Sequence, residues 1–448
     1  MVIRRFGSIS VFIVVIFATV AIVVDTSIVK IVTSAGGIGS GLSEITLFII
    51  LILVFAIGQY VILNFIKNQY SIGKLKDTRN PRLHLTHNVV TISQLALLAI
   101  LVIAVLEMLF TVSYSILILR ISIIISYGIS FILLALLVKR FFSWYKSNKN
   151  WVVFVYGLAI TAISINSIIT IIYTNNEFNN DPAFIRPVKS LTGALASSGF
   201  ISGSMSSSYV ITSVLSFVLM WIATVLLLKN YSRKLGTVKY WIIVSIPLAY
   251  FLGQFQPLFL YSFSDLRLSD PVLFGIIYNS IFSLAKPVGG ILFGIAFWII
   301  TRRITSIPVK SYMIISAYGV TLLFAANQPL SLLLVPYPPF GLPSICFMVV
   351  ASYLIFLGIH SAAISVSEDS KLRQSIRRIA LQEARFLDVI GTAEMYQEME
   401  RRVLGATKGI KDDMAGQRGI GSSLDEDDMK EYLSEVLEEI KRGKEANL

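Results

Sequence analysis

Ten runs of apolar residues, each near the length that crosses a lipid hydrocarbon layer, recur along the chain before residue 366. About 20 apolar residues in a helix span the ~30 Å core of a bilayer. The runs fall at roughly 8–24, 44–66, 88–112, 114–138, 151–173, 209–228, 240–263, 271–300, 311–335 and 342–364. This pattern predicts an all-α fold, a polytopic transmembrane helical bundle over residues 1–366. The first run follows Arg4 and Arg5, as a signal sequence would. Its 17 apolar residues are long for a cleaved leader and favour an uncleaved anchor.

After residue 366 the pattern changes from continuous to amphipathic. Ser365 followed by Glu368 and Asp369 marks a helix start, and apolar residues then recur at Leu372, Ile376, Ile379, Phe386, Ile390 and Ala393. Glu383 and Gly391 interrupt this seam, which is short for a coiled coil. A glycine-containing linker over 405–423 leads to a second helix, 425–442, with a narrow stripe of Met429, Leu433, Val436, Leu437 and Ile440. Residues 367–448 therefore read as a helical cytoplasmic tail that docks a cytoplasmic protein partner. The alternative is that its helices pack on each other or lie on the membrane.

Composition agrees with the bilayer as the principal partner. Hydrophobic residues make up 55% and charged residues 14%, with a mean hydropathy of +0.76. A soluble domain of this length needs more charge to keep its surface wet. The net charge of +12 resembles a nucleic-acid signal until it is divided along the chain. Residues 367–448 hold 14 Lys+Arg against 18 Asp+Glu, so the basic excess lies in the short loops between apolar runs. With the N-terminus inside, the cytoplasmic loops carry 18 basic residues, and the outer loops carry only Lys30, Arg186, Lys189 and Arg267. That asymmetry predicts ten spans with both termini cytoplasmic in a cell membrane, and it removes the argument for nucleic acid.

Little points to metal or cofactor chemistry. Cys346 is the single cysteine, which excludes an intramolecular disulfide and an all-cysteine metal site. His84 and His87 are three apart, but they fall in a basic loop and read as solvated. There is no phosphate-binding glycine loop, zinc-protease helix or nucleophile elbow, so the expectation is a protein without catalytic activity of its own. The longest outer loop, 174–208, turns rich in Gly, Ser and Ala over 191–208, suiting either a re-entrant segment or a plain loop. Prolines at 336, 338, 339 and 343 make the last outer connection stiff.

Charged and amide side chains inside the apolar runs are the candidate functional residues, because each is costly in hydrocarbon and needs a partner or a water-filled cavity. Glu107 and Arg120 lie six or seven positions either side of a helical hairpin turn, which places both roughly 10 Å below the outer surface and predicts an intramembrane ion pair. It would serve as a clamp on the hairpin or as a switch. Lys286 lies mid-span beside Pro287, Gly289 and Gly290, which predict a kinked or broken helix exposing carbonyls to a ligand. Gly290 and Gly294 alternatively form a small-residue packing pair.

Gln254, Gln256, Asn279, Asn327 and Gln328 fall at similar depths in the outer half of their spans. With Lys286 they outline a polar ligand-binding layer, or else a set of interhelical hydrogen bonds. Three functions fit. The first is a receptor-like or adaptor-like protein with an outer pocket that signals through the tail. The second is a secondary transporter centred on Lys286, and the third is a non-catalytic subunit or assembly factor of a membrane complex.

Overall fold

The computed structural model describes residues 15–25, 41–72, 81–179, 184–185, 204–229, 236–255, 264–269, 281–302, 304, 306–329, 337–369, 386–399 and 401, with isolated positions at 273, 277 and 373. The helices are α1 (Val15–Asp25), α2 (Gly41–Ile72), α3 (Pro81–Thr111), α4 (Ile116–Asn148), α5 (Trp151–Glu177), α6 (Ser204–Leu228), α7 (Thr237–Gly253), α8 (Ser264–Ser269), α9 (Ala285–Thr301), α10 (Ile307–Ala326), α11 (Leu342–Glu368) and α12 (386–399). The chain is thus an all-α membrane protein. Seven helices, α2 to α6, α10 and α11, are long and apolar enough to cross a bilayer, while α1, α7 and α9 are apolar but shorter. Outward-facing side chains on α2, α3 and α7 include Ile57, Ile92, Phe110 and Ile246. An apolar surface of this kind suits lipid and not water.

Helix α11 is the axis of the bundle. Residues 342–363 are buried on every side, against α10, α4, α3 and α2. Small side chains permit that enclosure. Gly319 of α10 lies against the backbone of Ala351 and Ile355, and Gly358 of α11 lies against Tyr312 and Ser316. A methyl group added at Gly319 would sit 2.7 Å from the Ile355 nitrogen and 2.9 Å from the Ala351 carbonyl, atoms that cannot rotate away. Gly319→Ala should therefore cost about 1–3 kcal/mol through overpacking. Gly128→Ala, where no atom lies within 4 Å, should be neutral or slightly stabilising because alanine is the better helix former. Thermal denaturation of the two variants in detergent checks this, and equal melting temperatures would remove the close approach from the account.

The turns follow from local chemistry. Lys149 takes the left-handed conformation (φ 43°) that ends α4, and the Asn150 side chain caps α5 by accepting from the Val152 N–H at 2.9 Å. Between α3 and α4 the chain passes through Val112 (φ 51°) into a short strand, β1 (Tyr114–Ser115). That strand pairs antiparallel with β2 (Phe184–Ile185), pinning part of the α5–α6 connection beside the α3–α4 turn. Helices take up both ends of the expected 174–208 loop, with α5 reaching Glu177 and α6 starting at Ser204. Residues 186–203, most of the candidate re-entrant segment, lie outside the described residues.

Two polar residues hold the core in ways the apolar pattern hides. Asp25, buried at the end of α1, accepts from the Gly341 N–H at 2.9 Å, the Ser344 N–H at 3.2 Å and the Ser344 hydroxyl. It is a remote cap for the first turn of α11. His87 was expected in a solvated loop, but α3 already begins at Pro81, and His87 Nδ1 lies 3.0 Å from the Tyr353 hydroxyl of α11.

Helix α12 packs back on the bundle. Phe386 enters an aromatic cluster with Phe141 of α4, Tyr156 of α5 and Phe297 of α9. Glu394 pairs with Arg140 at 3.3 Å and accepts from the Trp144 indole at 2.9 Å, and Gln397 donates to Ser143 at 2.7 Å. The buried apolar side of α12 is Phe386, Leu387, Ile390 and Ala393, of which Phe386, Ile390 and Ala393 belong to the seam seen in the sequence. The expected second tail helix, 425–442, lies outside the described residues.

Candidate functional site

Two apolar runs are interrupted, one of them in the region where Pro287, Gly289 and Gly290 predicted a kink or break, and their breaks meet. The run at 271–300 contains a turn at residues 283–284, after which α9 starts at Ala285. Pro287 therefore sits in the first turn of α9, where its missing N–H leaves no bond unmade, and no mid-helix kink is needed. Likewise α10 stops at Ala326, short of the expected 335, and Asn327 and Gln328 follow in non-helical backbone. Gly290 and Gly294 let the two helices approach closely, against Thr321 and Ala317, which is the packing role weighed for them.

Lys286 lies at this junction. Its Nζ donates to the Asn327 carbonyl at 3.0 Å and to the Tyr209 hydroxyl at 3.4 Å, and it stands 5.6 Å from the centre of the Tyr209 ring. The ammonium thus rests on the carbonyl end of α10, where a helix dipole favours positive charge. Gln328 serves the same end, donating to the Ala325 carbonyl at 3.2 Å, and it also reaches the Ser283 carbonyl at 3.3 Å in the facing break. No side chain caps the start of α9. Among the described residues the ion pairs are Arg140–Glu394 and Arg401–Glu398, so Lys286 has no carboxylate partner there.

Behind the lysine runs a buried hydrogen-bonded chain. The Asn327 side chain accepts from the Tyr127 hydroxyl at 3.2 Å and donates to Asn166 at 3.3 Å, and Asn166 donates to Thr212 at 3.0 Å. Tyr209 stacks on Tyr173, with ring centres 5.3 Å apart. Helices α4, α5, α6, α9 and α10 thus all contribute to one polar cluster in an apolar interior. No known protein family, curated protein or solved structure matches this chain. The site must be read from its own chemistry.

Of the expected binding residues, the structure brings Lys286 and Asn327 into contact and places Gln328 across the same break. Gln254 bonds back to the Phe251 carbonyl at 2.9 Å, just past the end of α7. Gln256 and Asn279 lie outside the described residues. Tyr127, Asn166, Tyr209 and Thr212 were not singled out in the sequence. Asn166 carried a usable signal, as an amide in the middle of an apolar run, whereas tyrosine and threonine are too common in such runs to stand out.

The expected Glu107–Arg120 ion pair does not form. Glu107 accepts from the Ser115 N–H at 2.7 Å, at the start of α4, where the helix dipole favours negative charge. Arg120 donates to the Phe178 carbonyl at 2.7 Å and the Asn179 side chain at 3.1 Å, at the end of α5, where the dipole favours positive charge. The extended β1 segment between α3 and α4 gives each charge a helix end closer than the other charge.

Proposed function

We propose that this protein is a secondary transporter of a small anionic solute, with Lys286 as the anion-holding group. What supports the reading is the meeting of two interrupted helices at one half-buried ammonium that has no carboxylate partner among the described residues. Broken helices in a membrane bundle place helix ends and free backbone groups where a solute can reach them. An ammonium in that position calls for a countercharge. In the described state the α10 carbonyl end and the Tyr209 hydroxyl hold the lysine. An entering anion would take it over, with the uncapped start of α9 as a second positive contact.

The proposed topology keeps ten spans and cytoplasmic termini, on the 18-to-4 asymmetry of basic loop residues. The receptor reading retains one supporting observation. Helix α4 carries Tyr127 at the polar cluster and Arg140 and Trp144 at α12, so a single rigid element touches both places. A protein partner at the tail remains a proposal and concerns the chain beyond α12.

The direct test is solute-driven current across proteoliposomes holding the intact protein, using small carboxylates, sulfate and inorganic phosphate in turn. Transport predicts a saturable current with at least one of these anions and none with matched neutral solutes. Saturable binding of an anion without current would favour the receptor reading. Neither binding nor current with any anion would end the proposal.

A further inference from the structure

We propose that Arg120 is the centre of a binding site for the phosphate of a membrane lipid, lying in the cleft between α4 and α5 and separate from the Lys286 cluster. The guanidinium is only partly used. One terminal nitrogen serves the Phe178 carbonyl and the Asn179 side chain, while Nε is buried with no partner. Arg120 also has no carboxylate partner among the described residues, because Glu107 is spent on the Ser115 N–H. A buried charged donor left unmatched is costly, and guanidinium geometry suits two oxygens of a phosphate at once.

The surroundings say which kind of phosphate. Arg120 lines a narrow cleft with Ile123, Ile124, Ile171, Thr174, Asn175 and Phe178. The isoleucines form an apolar groove on one side of the arginine, and Ile124 is 49% exposed on the outward face of the bundle. On the other side, Asn175 is exposed in the last turn of α5, where an amide can donate to a headgroup. The cleft is too tight to enclose a free solute, so a ligand must lie across its mouth with its bulk outside. A phospholipid does so, placing its phosphate at Arg120 and an acyl chain along the isoleucines. The charge asymmetry of the loops puts this end of α4 in the outer leaflet.

The test uses the full-length protein in a maltoside detergent. Thermal denaturation is followed with dioctanoyl phosphatidylglycerol, with dioctanoylglycerol (which lacks the phosphate), and with inorganic phosphate. The proposal expects saturable stabilisation by the phospholipid alone. Arg120→Gln should weaken its apparent affinity about tenfold or more. Arg120 also caps α5, so a second variant guards against a merely misfolded protein. Asn175→Asp leaves the Arg120 contacts in place and puts a carboxylate at the cleft, and it should weaken phospholipid binding to a similar degree. Equal stabilisation by dioctanoylglycerol would mean an apolar groove with no phosphate site. Equal stabilisation by inorganic phosphate would mean a free-anion site. Undiminished affinity in Asn175→Asp would place the lipid elsewhere. Each of these three results overturns the proposal.

Discussion

Under the transporter reading, Lys286→Met is expected to cut anion flux by roughly 100-fold or more, with the protein still monodisperse and inserted. The magnitude follows from removing one member of a buried, hydrogen-bonded charge pair, which costs about 2–5 kcal/mol, and about 2.7 kcal/mol is about 100-fold. Folding should tolerate the change. Methionine fills a similar volume and takes an unpaired charge out of the bundle interior, and the Asn327 side chain keeps its bonds to Tyr127 and Asn166. Tyr209→Phe, which removes a single 3.4 Å contact to the ammonium, should reduce flux far less. Proteoliposome flux, alongside size-exclusion profiles of each variant, decides the matter. Wild-type flux in Lys286→Met would reduce the residue to a cap on α10.

Asp25→Ala is the substitution expected to cost the most stability, about 2–4 kcal/mol. Its carboxylate satisfies two backbone N–H groups and a hydroxyl at the start of α11, the helix around which the others pack. Loss of a helix cap costs about 1 kcal/mol, and hydrogen bonds to a charged group are worth about 1.5–3 kcal/mol. With alanine those donors face an apolar interior with nothing to accept from them. Ser344→Ala removes only one of the three contacts and should cost about 1 kcal/mol. Denaturation midpoints in mixed micelles measure both. A change below about 0.5 kcal/mol for Asp25→Ala would mean that α11 does not depend on this cap.

Asp25 also marks the limit of what could be read from the chain. The first apolar run ends at residue 24, so the acid immediately after it reads as the start of a loop, and only tertiary packing against residues 341–344 gives it a role. The helices themselves were legible because hydrocarbon demands long apolar segments, and that signal is carried by every residue of a run. Breaks within runs were harder to see. Pro287 announced an irregularity near Lys286, yet the helix boundary lies two residues before the lysine, at a leucine that no local rule marks. Position along neighbouring spans grouped Lys286 and Asn327 in one polar layer, but it did not foretell their contact, which is to the Asn327 backbone carbonyl. The same reasoning failed for Glu107 and Arg120. Depth places two residues at one level but is silent about which way each points round its helix, and the free backbone groups at helix ends compete with opposite charges for each side chain.

The docking of α12 carries the packed bundle past residue 367. Residues 386–399 fill the end of the bundle with Phe386 and tie themselves to α4 through Glu394 and Gln397. A truncation after Ser367 would strip Phe386 from the Phe141–Tyr156–Phe297 aromatic cluster. It would release Arg140 from its carboxylate and expose to water a surface that folded as interior. Any loss of activity in such a protein would report a damaged membrane unit and would say nothing about a missing partner. Removing only residues 402–448 separates the two.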